Sequence, residues 1–122
     1  MPLYRWDDVS LEQLNPLCAR QCIHTDKLTV ARIHLKKGAV VPVHAHANEQ
    51  FTLLEKGRLR FTTNGQPVEV EPGQVVHTPP DAPHTVEALE DSLATDVFAP
   101  PREDWRRGDD AYLRGPAPPT AT

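Results

Sequence analysis

The 122-residue chain carries 17 acidic against 13 basic residues, a net charge of −4, over a length that suits one domain around one core. No block of like charge offers a footprint for nucleic acid, and no apolar stretch approaches the roughly 20 residues that span a bilayer. The opening Met-Pro-Leu-Tyr-Arg-Trp-Asp-Asp has no apolar leader region, so the expectation is a cytoplasmic protein with neither a nucleic-acid nor a membrane partner.

Residues 1–17 mix Trp6, Val9, Leu11, Leu14 and Leu17 with Asp7, Asp8 and Glu12, which predicts one short helical turn ended by Asn15-Pro16. Cys18 and Cys22, the two cysteines, read as partly buried free thiols. His24, in a turn-like stretch, and His34 read as structural or surface residues. Residues 28–35 are rich in β-formers and predict a strand that ends at Lys36-Lys37-Gly38. Residues 51–55 and 58–63 predict two more, and Asn64-Gly65 then predicts a tight hairpin back through 66–70, because both central residues of a type I′ turn need positive φ. Glu71-Pro72-Gly73 turns again, 75–78 extends, the proline-rich run 79–83 forms a rigid corner, and strands follow at 84–88 and 93–99. Pro101 is placed as the first residue of a short helix, and 115–122 reads as a disordered tail. Short strands, close turns and 13 prolines give an all-β barrel or sandwich occupying 1–114.

The chemistry concentrates between Gly38 and Gly57. Val40, Val41, Pro42 and Val43 favour an extended chain, and in such a chain His44 and His46 project to one side, with Gln50 of the same parity. His-x-His is the spacing an extended strand needs to place two imidazoles on one ion. Glu49 has the opposite parity and is expected to face away. On a later strand, Asp96 and Phe98 again share a face.

The spacing of Gly38, His44, His46, Gln50 and Gly57 resembles the first motif of the cupin superfamily, with Gln where many members have Glu. Gly73, Pro79, Asp81 and His84 resemble the second motif, although Asp81 stands where Gly is usual and Ala88 where Asn is usual. The two motifs span 38–57 and 73–88. The resemblance implies a single-domain double-stranded β-helix, or jelly-roll barrel. It also implies one divalent ion, Ni, Mn, Fe, Co or Zn, on His44, His46, Gln50 and His84. Since it assigns the ligand to His84, His77 is expected to line the barrel or support a ligand.

The segment from Asp96 through Pro100-Pro101-Arg102 to Trp105 is similar to the C-terminal signature of small pectin-degradation cupins, which linearise unsaturated uronates. That resemblance implies a metal-dependent isomerase in which Asp96 moves protons, Arg102 pairs with a substrate carboxylate and Phe98 covers a sugar face, converting a 4,5-unsaturated uronate to a 5-keto-4-deoxyuronate without an organic cofactor. The rival expectations are a metal-dependent dioxygenase and a non-catalytic sensor of a small molecule. A homodimer is also expected, from sheet edges and from the apolar Leu3, Tyr4 and Trp6.

Overall fold

The computed structural model describes residues 1–114, so the expected tail lies outside the described residues. A 3-10 turn at Trp6–Asp8 precedes ten strands: β1 Glu12–Asn15, β2 Cys18–His24, β3 Thr29–Leu35, β4 Val40–His44, β5 Glu49–Lys56, β6 Leu59–Thr63, β7 Gln66–Val70, β8 Val75–Thr78, β9 His84–Ala88 and β10 Ser92–Ala99. Two short helices close the chain, α1 Glu103–Arg107 and α2 Ala111–Arg114. The strands form two antiparallel sheets, β1-β2-β3-β10-β5-β8 and β4-β9-β6-β7, facing each other as a jelly roll.

Alternation sets the faces. Along β5, Gln50, Thr52 and Leu54 are buried while Phe51, Leu53 and Glu55 are exposed, and along β10 Ala94 and Phe98 point into the same interior. The core between the sheets is built from Ala31, Leu54, Leu59, Phe61, Val70, Val86 and Phe98. Burying a side chain of that size contributes about 1.5–3 kcal/mol. Gly57, at φ +93°, ends β5 where no other residue fits, because a Cβ there would stand 2.4 Å from the Asp91 carbonyl oxygen.

The N-terminal expectation is corrected. Only Trp6–Asp8 is helical, and residues 12–24 form the hairpin β1/β2. Asn15-Pro16, read as a helix stop, is its turn: Asn15 pairs with Cys18, Pro16 takes the second turn position, and Asn15 Oδ1 accepts from the Leu17 amide at 2.9 Å. Pairing with β3 along its whole length then carries β2 through His24, which lies in a strand and not in a turn. The first helix also starts later than Pro101. Asn48 Nδ2 donates to the Pro100 and Pro101 carbonyls, holding this stretch as a strap, and α1 begins at Glu103 with Arg102 at its N-cap.

Candidate metal centre

His44 closes β4, His84 opens β9 directly opposite it, His46 stands in the β4–β5 connection and Gln50 is the second residue of β5. His44 and His46 therefore do not share one strand as expected. An extra residue at Pro42-Val43, between the pairs Val41↔Val86 and His44↔His84, bulges β4 and ends it at His44. The chain beyond turns His46 back toward the same point. Ring centroids are 4.2 Å apart for His44 and His84, 5.1 Å for His46 and His84, and 5.5 Å for His44 and His46. One ring nitrogen of each lies within 4.8 Å of the others.

Backbone carbonyls fix which nitrogen that is. His44 Nδ1 donates to the Pro42 oxygen at 2.8 Å, His46 Nδ1 to the Asn48 oxygen at 2.9 Å and His84 Nδ1 to the Ala82 oxygen at 2.8 Å. Each ring thus holds its proton on Nδ1 and presents a bare Nε2. Burial lowers all three pKa values, that of His44 to about 4, with the Pro42 bond acting the other way and the neighbouring imidazoles adding to the fall. At neutral pH the three rings are uncharged donors of electron pairs.

Gln50 completes the cluster from the β5 side. Its Nε2 donates to Thr52 Oγ1 at 2.9 Å, so its Oε1 faces His46 Nε2 at 3.0 Å. Neither facing atom carries a proton, and two lone pairs at that separation repel unless a cation lies between them. Three neutral imidazoles and an amide oxygen suit a divalent first-row ion, and they do not discriminate among Ni, Mn, Fe, Co and Zn.

Asp96 lies beyond Thr52, its backbone partner across β10 and β5. Its Oδ1 is sealed from solvent and has no hydrogen-bond partner among the described residues. Burial raises its pKa to about 6, with hydrogen bonding from Thr52, the Arg102 charge and hydrogen bonding from Gln50 acting the other way. The result is a carboxyl group poised near neutrality beside a metal-ligand cluster.

The C-terminal strap and helices roof this cluster. Arg102 is 1% exposed, and its guanidinium covers the rings of Phe98 at 4.7 Å and Trp105 at 4.1 Å. Its Nε and Nη2 donate to Asp104 at 2.9 and 2.8 Å, and Nη2 also to the Tyr112 hydroxyl at 2.7 Å. Phe98 meets His46 edge-on at 5.8 Å, and Tyr112 lies 4.9 Å from His44. His44, Gln50, His84, Asp96, Phe98, Arg102 and Tyr112 share one cavity of about 50 Å³. Sequence reasoning missed Tyr112 and Arg20 in its wall. The signal for Arg20 was its parity with Cys18 and Cys22 on a strand that was not expected; Tyr112 left no comparable signal.

Two further expectations are settled by strand parity. Glu49 faces outward as expected, but His77 does not line the barrel. It pairs with Glu49 at 2.7 Å and stacks on Phe51 at 4.8 Å, all three on the outer surface, because Val76 and Thr78 take the inward positions of β8. Cys18 and Cys22 are free, and burial pushes their thiols up to about 11 and about 12, which leaves them protonated and unreactive.

The chain matches the family model described as "Cupin domain" over residues 31–98. No curated protein matches it. Among solved structures it is similar to KdgF from a Halomonas species, at 27% identity and a TM-score of 0.80 over 85% of this chain and 99% of that one. It is likewise similar to an RmlC-like cupin from Shewanella frigidimarina, at 24% identity and 0.79, over 84% and 94%. Oxalate decarboxylase from Bacillus subtilis shares the fold at 18% identity and 0.68, the match spanning 80% of this chain and 28% of that one.

Proposed function

This chain belongs to the cupin domain family, and from that premise we propose that it is a metal-dependent isomerase that opens the ring of a 4,5-unsaturated uronate to give a 5-keto-4-deoxyuronate. The observation that carries the reading is the placement of Asp96, its Oδ1 sealed from solvent and its carboxyl poised near neutrality, in one cavity with His44, His84, Gln50 and Arg102, while His46 completes the histidine cluster. The likeness to KdgF and the similarity of the Asp96–Arg102 segment to pectin-degradation cupins support the same substrate class.

His44, His46, His84 and Gln50 would hold the ion, which when bound supplies a Lewis acid for a substrate oxygen. All four ligands are neutral, so no protein charge in the ligand set offsets that pull. Arg102 Nη1, left free by Asp104 and Tyr112 among the described residues, pairs with the uronate carboxylate, and Phe98 covers a face of the sugar. Asp96 takes the proton of the anomeric hydroxyl as the bond from the ring oxygen to the anomeric carbon breaks. The anomeric carbon becomes an aldehyde and the released oxygen an enolate at C5. Asp96 then gives the proton to C4 as the enolate becomes the ketone, so one proton moves and no redox change occurs.

Ligand pockets for small organic molecules run to about 300–1,000 Å³, so on this reading the cavity of about 50 Å³ has to widen to take its substrate. Tyr112 and α2 must move outward to admit a sugar acid. The cavity's size taken alone favours a second reading, a module that binds a small carboxylic acid without turning it over. Consumption of unsaturated galacturonate by metal-loaded protein decides between the two. We further propose a homodimer, since Leu3 and Tyr4 are exposed and β1 is a short edge strand.

A further inference from the structure

Arg20 has no part in the chemistry above, yet it is built into the same cavity. It is 1% exposed on β2, lines the cavity with Asp96 and Arg102, and stacks its guanidinium on Trp105 at 4.4 Å, the indole that Arg102 also covers. Two acidic residues clamp one side of it. Glu12 accepts from Nε at 3.4 Å and from Nη2 at 3.2 Å, and the fully buried Asp110 accepts from Nη2. Asp110 is held in turn by Arg114 at 3.0 Å, so the guanidinium cannot swing away. Its remaining arm, Nη1, is sealed from solvent with no partner among the described residues. A buried charged donor left without an acceptor is costly and therefore rare in a folded protein.

The same cavity holds the opposite deficiency. Asp96 Oδ1 is an acceptor with no donor, and Arg20 Nη1 is a donor with no acceptor. We propose that Arg20 is a further ligand-binding residue of this cavity, its Nη1 taking an anionic oxygen of the ligand while Asp96 accepts from a ligand hydroxyl. The ligand class is a hydroxy acid. The proposal rests on the reading of this cavity as the site of a carboxylated ligand, and for a uronate it places two guanidinium groups, those of Arg20 and Arg102, within reach of one polar substrate. Both guanidinium groups cover the Trp105 ring, and the acidic partners Glu12, Asp110 and Asp104 offset their repulsion before the ligand arrives.

The test uses the full-length, metal-loaded chain with Trp6→Phe, so that Trp105 is the remaining fluorophore. It is titrated with D-galacturonate and with D-galactose, which lacks the carboxylate. Arg20→Lys keeps a charge for Asp110 but loses the second arm, and is expected to lower galacturonate affinity about tenfold while galactose affinity holds. Asp110→Asn, which loosens the clamp without touching Nη1, is expected to keep the preference for the acid. An Arg20→Lys protein with an unchanged preference, or one that loses both sugars equally, overturns the proposal. If the parent binds neither sugar, the uronate reading fails separately, and Arg20 is judged with lactate against propane-1,2-diol. A selective loss of lactate binding in Arg20→Lys supports the contact, whereas equal lactate binding by both proteins, or none by the parent, overturns it.

Discussion

His46 Nε2 and Gln50 Oε1 face each other at 3.0 Å with no proton between them. The Asn48 carbonyl holds the proton of His46 on the far side of the ring, and Thr52 holds the amide hydrogens of Gln50 on the far side of the amide. The pair is arranged for a cation. Purified protein is therefore expected to contain about one divalent ion per chain by elemental analysis. His84→Ala should lose most of it, and Gln50→Ala should weaken binding about 10- to 100-fold. His77→Ala should retain it, because His77 is on the outer surface with Glu49. Metal loss in His77→Ala equal to that in His84→Ala would refute this ligand set.

Asp96 is expected to trade stability for activity. Its pKa is higher in the folded chain, about 6, than the usual 3.8, so folding favours its protonated form. The stabilisation this gives is complete below about pH 4 and is lost as pH rises through about 6. At pH 7.5 the buried carboxylate therefore costs the metal-free fold roughly 2–3 kcal/mol. Asp96→Asn should raise the metal-free Tm at pH 7.5, show little gain at pH 4, and cut turnover by roughly 100-fold or more at unchanged metal content. Thermal melts at the two pH values, with a turnover assay, check all three; a lower Tm at pH 7.5 would show that Asp96 is a structural ion.

Arg102 should act through substrate affinity. Arg102→Lys keeps the charge but cannot hold Asp104 through two nitrogens and still present a third, so KM should rise about tenfold with a smaller change in kcat. Steady-state kinetics separate the two. An equal fall in kcat with KM unchanged would instead place Arg102 in the proton path.

Much of this was legible in the sequence because strand parity and turn chemistry are local. Asn64 at φ +51° and Gly65 at φ +74° form the hairpin turn that Asn-Gly predicts, and Gln50 points inward and Glu49 outward, as alternation requires. β1 and β2 were missed because their inward face carries Arg20 and their turn is an Asn-Pro, which locally looks like a helix end. What buries Arg20 is Asp110, 90 residues away, a pairing that no window of sequence contains. The misplacement of His77 had a different source. Its position in β8 was right, but its side follows from the pairing of β8 with β5, where His77 sits opposite the outward Phe51.

Tyr112 sets how closed the cavity is. Its ring lies over His44, and its hydroxyl accepts from Arg102 and from Trp105 Nε1 at 3.3 Å. Tyr112→Ala should widen the cavity and speed the association of a uronate severalfold, at a cost of about 2–4 kcal/mol in stability. Stopped-flow Trp105 fluorescence reads the first effect and denaturant melts the second. An unchanged association rate would mean that entry does not pass α2.

Light scattering at micromolar concentrations should give the mass of a dimer. Replacing both exposed residues Leu3 and Tyr4 with Glu should shift it toward the monomer. A monomeric mass for the parent chain would remove the dimer from the account.

Isomerisation of an unsaturated uronate by the metal cluster and Asp96 is read out by following the conjugated double bond of 4,5-unsaturated galacturonate under anaerobic conditions with the Zn-loaded protein. The absorbance is expected to disappear with one proton gained at C4, turnover to proceed without oxygen, and Asp96→Asn to cut it by roughly 100-fold or more while still holding the ion. Persistence of the double bond with this and the corresponding mannuronate and guluronate substrates, or consumption that requires oxygen, would contradict it.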